Sequence, residues 1–211
     1  AGLMKTFEVK GFFDGEKELY SFKSSDNIPV CISPDNKWVL CRSQDMKKVV
    51  LLDLTKGSTG FSMNIDEAIT KWLLEKQVFS FTPDGRKIVI AVWERVGDQD
   101  VISRLEFRNP TTWELTSTFK KSDYAIKAFS VSPDSKRIVT AGLKDSIILW
   151  DLRTGEEIIE LPTPHEVIES VLFSPDGQYL TTAGYKGGHI DIKKMVSVVN
   201  IWDTRDPPIK R

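Results

Sequence analysis

The sequence predicts an all-β fold built from a repeated unit of short antiparallel strands, and three observations carry that prediction. The triplet Ser/Thr-Pro-Asp occurs four times, at Ser33-Pro34-Asp35, Thr82-Pro83-Asp84, Ser132-Pro133-Asp134 and Ser174-Pro175-Asp176, where composition alone predicts fewer than one Pro-Asp pair. The prolines are 49, 50 and 42 residues apart, the period of a supersecondary repeat. Apolar side chains stand four and two positions before each proline, as Val30/Ile32, Phe79/Phe81, Phe129/Val131 and Val171/Phe173, an alternation with the period of a strand.

Each triplet separates two predicted strands. Five residues after the proline, Val39, Ile88, Ile138 and Leu180 open a second run rich in β-branched residues. Between the runs, proline presets φ and Asn36, Gly85, Ser135 or Gly177 tolerates a tight turn. A third strand follows as Leu51-Leu52-Asp53, Glu106-Phe107-Arg108, Ile147 to Asp151 and Val198 to Asp203, the last two ending in Trp-Asp. A fourth run is clearest in Glu156 to Leu161 and looser in Thr112 to Phe119. Four short antiparallel strands in roughly 40–50 residues make one blade of a β-propeller. The predicted blade units are 28–64, 78–119, 126–161 and 167–203, with 5–23 forming strands of a flanking or closing blade.

From about residue 28 to 203 the sequence resembles the WD-repeat β-propeller family. The best unit reads Ala128-Phe129-Ser130-Val131-Ser132-Pro133-Asp134, then Ala141-Gly142-Leu143-Lys144-Asp145-Ser146-Ile147-Ile148-Leu149-Trp150-Asp151. The resemblance implies that an Asp before the third strand bonds a His of the blade-entry loop, which leads through a Ser or Thr to the Trp. Asp145 and Trp150 match that network in the third unit, His165 and Trp202 in the fourth. The third unit has Ser122 or Asp123 where the entry His belongs, and the fourth carries an insertion where the Asp belongs.

Thr6 to Phe13 and Leu19 to Phe22 read as the third and fourth strands of a blade lacking its first half. After Trp202-Asp203 eight residues follow, including Pro207-Pro208, too few and too proline-bound for a fourth strand. Two architectures follow. Leu19 to Phe22 closes a small four-bladed ring, or the chain is part of a larger propeller completed by another chain or segment, since an open arc exposes strand edges and blade cores.

The function classes narrow by chemistry. Lys plus Arg (29) against Asp plus Glu (30) leave a net charge of -1, so no global basic field attracts nucleic acid or anionic lipid. Lys47-Lys48, Lys120-Lys121 and Lys193-Lys194 are isolated pairs without stacking aromatics, which argues against nucleic acid as a partner. No apolar run is long enough to span a membrane, and Ala1 to Lys5 do not read as a secretory signal. Cys31 and Cys41 have no partners for a zinc site and read as reduced thiols. The expected setting is intracellular and cytoplasmic.

No catalytic, metal or cofactor site is predicted. His165 is accounted for by the repeat, His189 sits in a glycine-rich insertion without phosphate-loop spacing, and Glu94, Asp98 and Asp100 lack calcium-loop spacing. Asp66 to Lys76 carries Ile69, Trp72 and Leu73 at helical spacing. The resemblance implies a non-enzymatic scaffold that binds proteins or peptides, with the propeller portion of a larger signalling or assembly protein as its more specific form. It places a partner site on the face formed by blade-entry loops and loops joining second to third strands. Tyr124, Lys144, Glu166 and Tyr185 match that face, with Trp72 and Arg95 from the two insertions. The alternatives are a propeller-based hydrolase or metal-dependent lyase, which only two histidines can serve, and a nucleic-acid-binding propeller.

Overall fold

The computed structural model describes residues 7–13, 17–24, 27–43, 47–56, 58–64, 79–96, 100–119, 126–142, 147–162, 167–186, 196–205 and 209–210. Every regular element among them is a strand. β1 (Phe7–Phe13) and β2 (Lys17–Ser24) pair with each other as a two-stranded sheet. Four four-stranded antiparallel blades follow in chain order. The first is β3 (Asn27–Ile32), β4 (Trp38–Ser43), β5 (Lys48–Asp53) and β6 (Ser58–Asn64). The second is β7 (Phe79–Phe81), β8 (Ile88–Val96), β9 (Asp100–Arg108) and β10 (Leu115–Thr118). The third is β11 (Ile126–Val131), β12 (Arg137–Gly142), β13 (Ile147–Asp151) and β14 (Glu157–Leu161). The fourth is β15 (Val167–Phe173), β16 (Tyr179–Lys186), β17 (Val196–Asp203) and β18 (Ile209–Lys210).

The last blade corrects two expectations. Ile209 and Lys210 pair with Asp203 and Trp202, so the short segment beyond the prolines does supply a fourth strand; two residues are enough once Trp202 is anchored. Leu19 to Phe22 lie within β2, whose register partners are in β1, and do not close a ring on the fourth blade. The four blades form part of a propeller rather than a closed ring.

Alternation along the strands explains the stacking. Leu40 and Leu51 face the second blade's core, with Phe79, Phe81, Val89 and Phe107, while Val39, Cys41, Val50 and Leu52 are buried on the other side of the same sheet. The third blade repeats this division. Ile126, Phe129 and Ile138 join the core shared with the second blade, and Val139, Ala141, Ile147 and Leu149 join Ile168, Val171, Leu180 and Trp202 of the fourth.

The Ser/Thr-Pro-Asp turns owe their composition to a hydrogen-bonded bridge. In each, the hydroxyl donates to the Asp carboxylate: Ser33 to Asp35 at 2.6 Å, Thr82 to Asp84 at 2.6 Å, Ser132 to Asp134 at 2.6 Å and Ser174 to Asp176 at 2.5 Å. The same hydroxyl accepts the backbone N–H that opens the second strand, from Trp38, Lys87, Arg137 and Tyr179 at 2.9 to 3.1 Å. The third turn residue is left-handed in all four, with φ of 57° at Asn36, 69° at Gly85, 55° at Ser135 and 69° at Gly177. The Ser33 hydroxyl holds the Asp35 carboxyl below its ordinary value, and the Ser174 hydroxyl does the same for Asp176. Burial alone would raise Asp134, but the Ser132 hydroxyl and the Lys136 amide more than offset it.

Candidate functional site

The innermost strands of the four blades, β3, β7, β11 and β15, meet around a cavity of about 180 Å³. The third residue before each turn proline contributes one wall: Cys31, Ser80, Ser130 and Leu172. Phe79, Phe81, Phe129, Val30, Val131 and Pro83 fill the spaces between them. A single repeat position, presented once per blade, thus lines the cavity near the end of the blades that carries the Ser/Thr-Pro-Asp turns.

Three of those four side chains hold inner-strand backbone in place. The Phe173 N–H donates to Ser130 Oγ across the blade boundary at 3.2 Å. The Phe81 amide lies in the equivalent way against the Cys31 thiol. Ser80 instead donates to the Phe81 carbonyl at 3.1 Å. Leu172 breaks the series with an apolar group. Burial pushes the Cys31 thiol up to about 12, so it is neutral at physiological pH and the lining carries no formal charge. Such a cavity suits an uncharged group, because a charged one would lose hydration without a compensating partner.

The cysteines face away from each other. Cys31 packs against the core shared by the first and second blades, and Cys41 lies in the cluster on the opposite face of the first blade. Both are free thiols, and burial raises Cys41 to about 12 as well.

Of the residues expected at a partner face, Arg95 and Tyr185 lie within the described structure. Tyr185 is half-buried near the end of β16, between Val167 and Ser197 in register. Arg95 is near the end of β8, opposite Val101. Both are at the strand ends remote from the turns, away from the axial cavity. Trp72, Tyr124, Lys144 and Glu166 lie outside the described residues, as do Asp145, His165, the 66–76 segment and His189. Of the expected repeat network, the Trp half is present: Trp150 Nε1 donates to Thr140 Oγ1 at 2.8 Å and Trp202 Nε1 to Thr182 Oγ1 at 3.2 Å.

The second blade uses different chemistry at the same place. Arg108 stands one residue before Asn109 as Trp150 stands before Asp151, and it pairs with Ile88 as Trp150 pairs with Ile138. Its Nη2 donates to Glu106 Oε2 at 2.7 Å, and Arg104 Nη2 donates to Glu106 Oε1 at 2.8 Å. Glu106 is buried between the two guanidiniums, which retain water access. Arg108 also donates to the Trp113 carbonyl at 3.1 Å and covers the Trp113 ring. Trp113 takes the left-handed turn position (φ 62°) that Gly155 (φ 73°) occupies in the third blade. The alternation Arg104, Glu106, Arg108 along one strand face was the sequence signal for this triad. Among the described residues, no three His, Cys, Asp or Glu side chains form a set able to hold a metal ion, and no helix is long and apolar enough to cross a membrane.

Comparison with known proteins agrees with this architecture. The family model for the WD domain, G-beta repeat, matches residues 113–151 and 155–190. Protein HIR1 of Yarrowia lipolytica is 28% identical over 191 residues, covering 76% of this chain and 18% of that protein. The small ribosomal subunit protein RACK1 of Caenorhabditis elegans is 26% identical, over 67% of this chain and 37% of that protein. The serine-threonine kinase receptor-associated protein of Gallus gallus is 23% identical, over 82% and 44%. The chain therefore spans less than half the length of each of these relatives. Among solved structures, the β-propeller domain of Myceliophteria thermophila Cps50 (Swd1) superposes with a TM-score of 0.60 at 14% identity, over 85% of this chain and 52% of that one. Its four repeated turns, indole–threonine bonds and four-stranded blades give the chain a β-propeller fold, and residues 113–151 and 155–190 are similar to the WD domain, G-beta repeat.

Proposed function

We propose that this chain is a non-catalytic WD-repeat module that holds proteins together, seating an uncharged side chain of a partner in the axial cavity. The observation that carries the reading is the charge-free wall built from one repeat position of each blade, with phenylalanines between. Burial of apolar surface against the phenylalanines supplies affinity there, with Ser80 and Ser130 in the same lining. Trp72, Arg95, Tyr124, Lys144, Glu166 and Tyr185 are proposed as a second contact face. The relatives HIR1 and RACK1 support an interaction role within the WD-repeat class. An intracellular, cytoplasmic setting is proposed with it, supported by two unpaired thiols on opposite sheet faces.

The test is selection of random peptides on the wild-type chain, followed by affinity measurement on Ser130→Trp and Ser80→Trp, which fill the cavity. Selected peptides sharing an uncharged anchor should bind each variant at least about tenfold more weakly, the loss of about 1.4 kcal/mol or more. Peptides that bind wild type and both folded variants equally would refute the cavity as the anchor site.

A further inference from the structure

The axial cavity carries a donor and an acceptor of the backbone that its own walls do not match. In the second, third and fourth blades the residue before the turn hydroxyl stands opposite the start of the next strand: Phe81 opposite Ile88, Val131 opposite Ile138 and Phe173 opposite Leu180. The following residues, Thr82, Ser132 and Ser174, donate their N–H to the Lys87, Arg137 and Tyr179 carbonyls at 2.8 to 2.9 Å. Hydrogen-bonded and non-hydrogen-bonded pairs alternate along an antiparallel ladder, so the N–H and C=O of Phe81, Val131 and Phe173 point away from the second strand and toward the axis.

Two of these residues find partners there. The Phe81 N–H lies against the Cys31 thiol, and its carbonyl accepts from Ser80 Oγ at 3.1 Å. The Phe173 N–H donates to Ser130 Oγ at 3.2 Å. Val131 differs. Ser80 occupies the place that Cys31 and Ser130 hold for their neighbours, but its hydroxyl turns to its own strand, and among the described residues it takes no bond from the Val131 N–H. Ser130 likewise accepts across the blade boundary without donating to the Val131 carbonyl. Val131 is half-buried and lines the cavity.

A donor and an acceptor on one residue of a strand edge fix the chemistry of their partner. A primary carboxamide presents the complementary acceptor and donor on a single carbon and engages both together. A carboxylate sets lone pairs against the Val131 carbonyl, an ammonium sets a donor against its N–H, and a hydrocarbon leaves both groups without a partner. A partner strand would match them too, but a cavity of about 180 Å³ among four inner strands holds a side chain, not a strand. We infer that the group seated in the axial cavity is the carboxamide of a partner's Asn or Gln side chain, its oxygen accepting the Val131 N–H and its NH2 donating to the Val131 carbonyl, with Phe79, Phe81 and Phe129 covering its methylenes. This rests on the reading of the cavity as an anchor site and names the chemistry of the anchor.

The experiment takes peptides selected on the wild-type chain that Ser80→Trp and Ser130→Trp both weaken, and resynthesises them with the shared anchor position as Gln, Glu or Met, or as Asn, Asp or Leu. By titration calorimetry, the carboxamide form should bind wild type at least about tenfold more tightly than its charged and hydrocarbon counterparts. Val131→Pro removes the axial N–H and no ladder bond to β12; in the folded variant the advantage of carboxamide over hydrocarbon should fall at least about fivefold. Cavity-dependent peptides that share a hydrocarbon anchor, or that bind equally with Gln and Met, would overturn the inference and leave the cavity reading standing. An undiminished carboxamide advantage in a folded Val131→Pro chain would do the same. Peptides indifferent to both Trp substitutions would overturn the two together. If Val131→Pro does not fold, the anchor series on wild type decides alone.

Discussion

Removing one hydroxyl, in Ser132→Ala, tests whether the Ser/Thr-Pro-Asp turn is held by its side chain or merely by proline. Ser132 has no measurable exposure. Its Oγ donates to Asp134 at 2.6 Å and accepts the Arg137 N–H at 2.9 Å. Alanine leaves that N–H without its acceptor at the start of β12, while the exposed Asp134 carboxylate regains water. The N–H dominates the cost, since an unsatisfied buried donor is worth about 1–3 kcal/mol. A loss of about 2 kcal/mol should lower Tm by roughly 4–8 °C in a chain of this length. Ser132→Thr, which restores the group used at Thr82, should recover most of it.

The same bridge fixes a pH signature. Asp134 is held below its ordinary value in the fold, so its contribution is present above the unfolded carboxyl pKa and is lost as pH falls through the lower folded one. The difference in urea midpoint between wild type and Ser132→Ala should therefore be full at pH 7 and shrink below about pH 4. A Ser132→Ala chain within about 0.5 kcal/mol of wild type at pH 7 would refute the bridge as the reason for the hydroxyl; surface substitutions ordinarily fall in that range.

Two further outcomes follow from the packing. Glu106→Leu should cost about 3 kcal/mol by leaving Arg104 and Arg108 facing a buried site without their carboxylate, and adding Arg108→Trp should recover part of that cost because Trp150 fills the equivalent place; denaturant unfolding of both chains checks this, and an equal or larger loss in the double variant would count against the equivalence. Because burial raises both thiols to about 12, the unfolded chain ionises them first, and stability should fall as pH rises from about 8.5 toward 12. Urea unfolding at pH 8 and 10.5 should show a steeper decline for wild type than for Cys31→Ala/Cys41→Ala, and parallel declines would refute the thiol contribution.

The blade and its turns are local objects, and that is why they can be read from residue order. Hydroxyl, proline, aspartate and a residue tolerant of positive φ lie within four positions, and the strands flanking them alternate apolar side chains over six. The same short range made Trp150 and Trp202 recognisable, since their threonine partners lie 10 and 20 residues away on the neighbouring strand. Arg108 was visible as a departure from Trp, but its role was not: a carboxylate between two arginines on one strand face reads equally well as a solvated surface. Burial of Glu106 decides the matter.

Other features depended on tertiary structure because apolar strands are compatible with several partners. Sequence alone established the all-β repeat, the four blades, the turn positions and the family resemblance. It excluded the residues beyond Asp203 as a fourth strand of the last sheet, yet there Ile209 and Lys210, rather than Leu19 to Phe22, make the hydrogen bonds. It also placed candidate partner residues toward one end of the blades, whereas the cavity gathers Cys31, Ser80, Ser130 and Leu172 near the other. Those four residues differ in chemistry and are 42 to 50 positions apart from one to the next, so no local pattern joins them. Only the stacking of blades, driven by burial of their alternate faces, brings one repeat position from each strand to a common axis.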